Sequence, residues 1–316
     1  MSAVIQYYRI NAGHAETTTA DLATWVHLEA PTDAELAAAS TTYQLDLREM
    51  QAASDAHEDP RSAWLDPDDN RPGLIVVRYP VLKLNEIGYL EYETAPLTLF
   101  LMPDKLLTIS AVRIPAQIGA GVRGGREISS RPEEFALHIL WCVLHDFVHA
   151  MVRVNDEVDQ MQLGLGKAVA NKQLYQIMAL QKSLIYFESV LDNTMPVLKK
   201  LRVKDRYFTT DGYDEWLKSV MVEAHQARTM VGVTERILEQ YNTTVSSIVS
   251  NNLNIIMKVL TSITIILTVP TVIGGLWGMN VPVPLAHHYW SFWAILAGTT
   301  VICAVSAYML HKKDYL

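Results

Sequence analysis

The chain has 316 residues and a formal net charge of -8, long enough for one sizeable domain plus a helical region. That acidity, with no basic stripe to offset it, argues against a nucleic-acid partner. Two cysteines, Cys142 and Cys303, lie far apart in different surroundings, which excludes a disulfide framework and a CxxC metal knuckle.

Met1 to Ala30 carries Glu16, Asp21 and Glu29 and fits neither a signal peptide nor an Arg-rich transit sequence. Val4 to Ile10, Thr24 to Leu28, Leu74 to Tyr79, Leu97 to Leu101 and Leu106 to Ser110 read as strands, being short, rich in β-branched and aromatic residues and bounded by Pro, Gly or Asp. Thr32, with Glu35 three residues on, has the capping-box pattern of a helix start. His57 to Pro72, crowded with Asp, Pro and Arg, reads as a loop, and the glycines between Gly119 and Gly125 as a connector, since they lack the spacing of a phosphate cradle. From Pro132 strand signals cease. Apolar residues recur at three- and four-residue spacing to Leu163 and again from Lys172 to Leu201, and helix-breaking residues near Gly164, Gly166 and Asn171 predict an antiparallel pair.

After a turn at Thr209 to Gly212, no proline interrupts Tyr213 to Val269. A helix from Tyr213 to Gly275 would be about 95 Å long at 1.5 Å per residue. Such a helix calls for lateral partners, most economically copies of itself. From Val259 to His311 there is no Asp, Glu, Lys or Arg, while one bilayer-crossing helix needs only about 20 apolar residues. Two spans fit, Ile255 to Leu276 and Tyr289 to Leu310, with Pro282 and Pro284 turning the chain between them. Lys258 near the start of the first span, and Lys312 and Lys313 after the second, place both ends in the cytoplasm of a bacterial inner-membrane protein. Trp277, Tyr289, Trp290 and Trp293 fall at the outer boundary as interfacial anchors. The predicted class is therefore α+β: a cytoplasmic mixed α/β domain at 1–130, a cytoplasmic helical region and stalk at 131–250, and a transmembrane hairpin at 251–316.

On the first span Asn254, Met257, Thr261, Thr264, Thr268, Thr271 and Gly275 follow a heptad seam, a mostly hydroxyl-bearing stripe on an otherwise apolar helix. Small and hydroxyl residues also serve simple helix packing. Here, however, the stripe ends at Gly278 and Asn280, leaving an amide at a membrane mouth. Mg²⁺ sheds its water shell reluctantly, so a site for the hydrated ion should present neutral oxygen acceptors to its waters. Met257 and Leu260 could close a water column by dewetting. A divalent cation gains roughly 4.6 kcal/mol at 100 mV, so inward movement needs no nucleotide, and no P-loop string is present.

Gly278-Met279-Asn280 at the outer end of the first of two C-terminal spans, with a basic tail after the second, resembles the CorA family of magnesium transporters. Met257 to Thr261 and Pro270 extend the likeness. The resemblance implies a homopentamer in membrane lipid that carries Mg²⁺, with Co²⁺ or Ni²⁺ as side activities, needs no organic cofactor and is not an enzyme. It implies Gly278, Met279 and Asn280 as the selectivity filter, and Asn254, Met257, Leu260, Thr264, Thr268, Thr271 and Gly275 as pore-lining, with Leu260 rather than Thr261 as gate. A zinc carrier of the same build, or a membrane-tethered sensor or scaffold, are the alternatives.

The loop Val281 to His288 departs from the family's acidic one. It carries His287 and His288 instead, and imidazoles gain charge in acid. Uptake is expected to weaken as external pH falls from about 7.5 to 5.5; equal flux at both would exclude a role for these histidines. The family's cytoplasmic sensor uses carboxylates near the start of the stalk, where this chain has Ser219, with Asp214, Glu215 and Glu223 nearby. His145-Asp146-Phe147-Val148-His149, with His138 on the same face, is close to a zinc-hydrolase string. Asp146 is a carbon short for the usual general base, and the helix needs these positions for packing. Packing is the preferred reading. Asp214, Glu215, Glu223, His145 and His149 remain candidate ligands of a regulatory metal.

Overall fold

The structure, a computed structural model, describes residues 4–11, 14–114, 131–163, 171–203, 206–208, 213–281, 283 and 288–313. The predicted connector at Gly119 to Gly125, the breaks at Gly164 and Gly166 and the turn at Thr209 to Gly212 lie outside them. The chain forms two compact units, Met1–Tyr241 and Asn242–Leu316.

The first unit is built on a seven-stranded sheet of β1 (Val4–Asn11), β2 (His14–Thr17), β3 (Trp25–Glu29), β4 (Arg61–Ala63), β5 (Gly73–Leu84), β6 (Leu90–Leu101) and β7 (Leu106–Ser110). Strand order is β2-β1-β3-β7-β6-β5-β4, and only β3 and β7 pair in parallel. All five predicted strands are present. β2 and the three-residue β4 are additional, the latter inside the segment read as a loop. β5 and β6 each run several residues further than their apolar cores, joined by a turn in which the Asn85 side chain accepts the N–H of Ile87 and of Tyr89 and Gly88 takes a φ of 86°.

Pro80 and Pro96 made those extensions hard to read, because a proline cannot donate to a ladder. Each sits where one side of its strand is unpaired. β4 meets β5 only at Leu74 to Val76, and β7 meets β6 only from Leu97 onward.

Helices cover both faces of the sheet. On one side α1 (Asp33–Tyr43) and α2 (Leu47–Ala53) bury Leu36, Ala39, Met50 and Ala53 against Val26, Leu28, Val76, Phe100, Leu107 and Ile109. The capping box at α1 is formed: the Thr32 N–H donates to the Glu35 carboxylate at 2.8 Å and the Glu35 N–H to the Thr32 hydroxyl at 3.4 Å. On the other side the alternate residues of β3 meet α3 (Pro132–Leu163), with the Trp25 and Phe135 rings 4.9 Å apart. Two buried faces explain why β7 and the second half of β6 are buried throughout rather than on alternate residues. Gly73 is required where it stands: a Cβ there would lie 2.7 Å from the Tyr207 ring, whose hydroxyl accepts the Gly73 N–H and donates to the Leu101 carbonyl.

α4 (Asn171–Leu201) runs antiparallel to α3. Gln176 bonds Glu157, and Phe187 stacks edge-on to Phe147. α5 (Tyr213–Trp277) is one helix of 65 residues. Within the first unit it runs parallel to α3, through His145 to Glu223, Thr234 to Asn155 at 2.6 Å, and the Tyr241 hydroxyl to the Met161 carbonyl at 3.0 Å. Its buried stripe there is Leu217, Val220, Ala224, Ala227, Val231, Thr234, Leu238 and Tyr241, spaced by alternating threes and fours.

The second unit pairs the rest of α5 with α6 (Ser291–Lys312). Among the described residues three helices are long and apolar enough to cross a membrane, and burial sorts them. The most apolar window of α3 is 78% buried inside the first unit, against 6% for α5 and 0% for α6. α3 is a core helix; α5 and α6 carry apolar surfaces that only lipid or other helices can satisfy.

Candidate functional site

From Asn254 to the end of α5, Ser262, Ile266, Val269, Ile273 and Trp277 are the covered or half-covered side. At 100° per residue these five fall within about one quadrant of the helix. Asn254, Met257, Leu260, Thr261, Thr264, Thr268, Thr271 and Gly275 are all exposed and lie on the opposite side. α6 thus backs the helix and leaves the hydroxyl stripe open. Leu260 and Thr261 flank the midline of that open side, one to each hand.

The threonines on the stripe have a fixed polarity. The Thr264 hydroxyl donates to the Leu260 carbonyl at 2.8 Å, Thr268 to Thr264 at 2.7 Å and Thr271 to Leu267 at 2.8 Å. A hydroxyl has one proton, and here the helix takes it. What each presents outward is lone pairs, which attract a cation or the hydrogens of water around one and repel an anion.

The helix stops at the predicted triplet. The Gly278 N–H makes the last rung, to the Gly274 carbonyl at 2.9 Å. A Cβ on Gly278 would come within 3.2 Å of that same oxygen, so a side chain there would press on the final turn. Met279 and Asn280 follow in non-helical backbone, both exposed. His287 lies outside the described residues; His288 is exposed, its ring 6.1 Å from that of Trp290.

The candidate regulatory residues divide. Asp214 is paired with Lys218 at 3.8 Å one turn along α5, as a solvated helix start would be. Glu215 lies beside it, also exposed. Glu223, His145 and His149 come together: His145 Nδ1 is 2.6 Å from the Glu223 carboxylate and its Nε2 is 2.9 Å from His149 Nε2, with Trp141 stacked on the His145 ring. Among the described residues no three His, Cys, Asp or Glu side chains are placed to hold a metal ion. Burial pushes the carboxyl of neighbouring Asp146 up to about 6. His138 is buried beside Cys142 and held down to about 4 by desolvation. The link from His145 to Glu223 was invisible in the sequence, where the two are 78 residues apart with no signal joining them.

An antiparallel pair of apolar helices, one with an open acceptor-lined face that ends in an amide, carried on an α/β unit through a single long helix, defines a two-span membrane transport protein. The family described as CorA-like Mg²⁺ transporter protein matches residues 21–312. The cobalt/magnesium transport protein CorA of Methanocaldococcus jannaschii is 26% identical over 299 residues, 92% of this chain and 91% of that one. The complete structure of the CorA magnesium transporter from the same organism superposes with a TM-score of 0.79 at 22% identity over 100% of this chain and 99% of that one. The full-length CmaX protein follows with a TM-score of 0.71 at 15% identity, covering 98% of each chain. This chain belongs to the CorA family; it is an ion transporter and not an enzyme.

Proposed function

We propose that the protein carries hydrated Mg²⁺ into the cytoplasm down its electrochemical gradient, through a homopentameric pore whose wall is the open face of α5. The observation that carries this reading is the polarity of that face: Thr264, Thr268 and Thr271 have spent their protons on the helix, so an uncharged surface accepts hydrogen bonds and favours cations without gripping them. Mg²⁺ keeps its waters, and a wall of neutral acceptors suits an aquated ion better than a cage of carboxylates. In this arrangement residues 251–316 span the inner membrane with both ends in the cytoplasm, and residues 1–250 lie on the cytoplasmic side. Gly278, Met279 and Asn280 form the outer collar. Met257 and Leu260, apolar and exposed on the same face, narrow the inner end. Co²⁺, named for the archaeal relative, and Ni²⁺ are close enough in size and hydration to follow the same path.

Flux into proteoliposomes under an inward-negative potential tests the reading, with Mg²⁺ compared against Zn²⁺ and oligomer mass measured in the same detergent. Mg²⁺ uptake by a pentamer supports it. Zn²⁺ uptake without Mg²⁺ would make this a transition-metal carrier, and a monomer that moves neither ion would make the hairpin a tether.

A further inference from the structure

Pro270 sits inside the membrane-spanning part of α5. A proline has no N–H, so the carbonyl four residues earlier, Ile266, loses its rung, and an unpaired carbonyl in hydrocarbon is costly. The structure fills that gap from the other helix. The Cys303 thiol of α6 reaches the Ile266 carbonyl at 3.5 Å, and one residue on, the Leu267 carbonyl receives the Thr271 hydroxyl at 2.8 Å. Both carbonyls nearest the break are therefore served by side chains.

The position of this bond in the hairpin gives it a consequence. On its inner side Ser262 of α5 is fully buried. On its outer side the two helices stand apart around a cavity of about 820 Å³ lined by Pro270, Ile273, Trp277, Phe292, Leu296 and Thr299 among others. The thiol–carbonyl contact lies between that buried position and the cavity, where the backbone ladder of α5 has its missing rung. Beyond it, the segment from Thr271 to Asn280 has room to move toward or away from α6.

We propose that Cys303 is a positioning residue for α5: its thiol replaces the donor that Pro270 removes and so sets where Thr271 to Asn280 stand. The inference rests on the reading of α5 as the pore helix. It is independent of which divalent ion passes.

The test uses full-length protein in proteoliposomes, with Cys303→Ala, Cys303→Ser, Pro270→Ala and the Pro270→Ala/Cys303→Ala pair, and Asn280→Ala as a control on the pore itself. Cys303→Ala should lower Mg²⁺ flux about fivefold, the equilibrium weight of one lost hydrogen bond. Cys303→Ser, which keeps a donor, should restore most of it. In the Pro270→Ala background the backbone N–H returns to Ile266, so adding Cys303→Ala should change nothing further. Infrared difference spectra between wild type and Cys303→Ala isolate this thiol from Cys142. Its S–H stretch should show a hydrogen-bonded frequency, moving to the free-thiol frequency in Pro270→Ala. Full activity of Cys303→Ala, a Ser variant no better than the Ala variant, or the same loss in both proline backgrounds would overturn the proposal, as would a free-thiol band in the wild type. A wild type that conducts no divalent ion would instead defeat the pore reading, normal flux through Asn280→Ala would remove only the collar from it, and the infrared shift would still decide the bond.

Discussion

Asn280→Ala is expected to abolish most divalent-ion flux while leaving the oligomer and its thermal unfolding unchanged. Asn280 is exposed just past the last rung of α5, so its side chain contributes little to the fold. In the proposed collar its amide oxygen would accept hydrogen bonds from the waters of an arriving cation. A hydrogen bond with a charged partner contributes roughly 1.5–3 kcal/mol, a factor of about ten to a hundred and fifty in occupancy, and in the proposed pore every copy would lose it. Asn280→Asp should fail differently. A carboxylate holds the ion too well for rapid release, so binding should tighten while flux still falls. Flux assays paired with isothermal binding on the two variants separate these outcomes. Undiminished transport by Asn280→Ala would remove the collar from the account.

The second large effect is loss of stability in mild acid. His27 is fully buried, its Nδ1 2.8 Å from the Thr108 hydroxyl that also accepts the Trp25 indole N–H at 2.9 Å. Burial holds His27 down to about 4, and does the same to His138 on the facing helix. Unfolded, both titrate near 6.5. Between pH 6.5 and 4 the unfolded chain takes up protons that the native core refuses. Stability is therefore complete above about 6.5 and lost as pH falls toward 4, by about 3 kcal/mol for each histidine. Asp146 acts in the opposite sense, since its raised carboxyl takes a proton in the native state first. Other charged groups near these rings are few: Cys142, its thiol pushed up to about 12, lies against His138, and Glu29 is on the same strand as His27. Thermal midpoints of the full-length protein should be flat from pH 8 to 6.5 and then drop. His27→Gln should flatten part of the drop; a midpoint that does not move between pH 6.5 and 4.5 would contradict the buried neutral pair.

How much of this was legible depended on whether the signal was local. The hairpin was plain because an uncharged run that long suits little besides the inside of a bilayer, and the Thr32 capping box because its partners are three residues apart. The seven residues of α2 were missed since two turns are too short to show a period; only Asp46, whose carboxylate accepts the Arg48 N–H, marks its start. The outer halves of β5 and β6 were lost behind Pro80 and Pro96, tolerated because each faces an unpaired edge. The stripe on α5 could be drawn from spacing, but its open orientation depended on where α6 packs. That the threonine protons point into the helix, and that Cys303 meets Ile266, are facts of three-dimensional proximity that no spacing rule encodes.

The apolar character of α3 has a cost during synthesis. A ribosome extrudes Pro132 to Met161, a stretch greasy enough for the insertion machinery to take up, well before either of the proposed spans has appeared. The strands that shelter one side of α3 precede it in the chain and can be in place when it emerges, consistent with amino-terminal parts folding first. Order of translation thereby becomes a safeguard of topology, and a lesion that delays the sheet, such as a large residue at Gly73, would misdirect the whole polypeptide rather than merely loosen it.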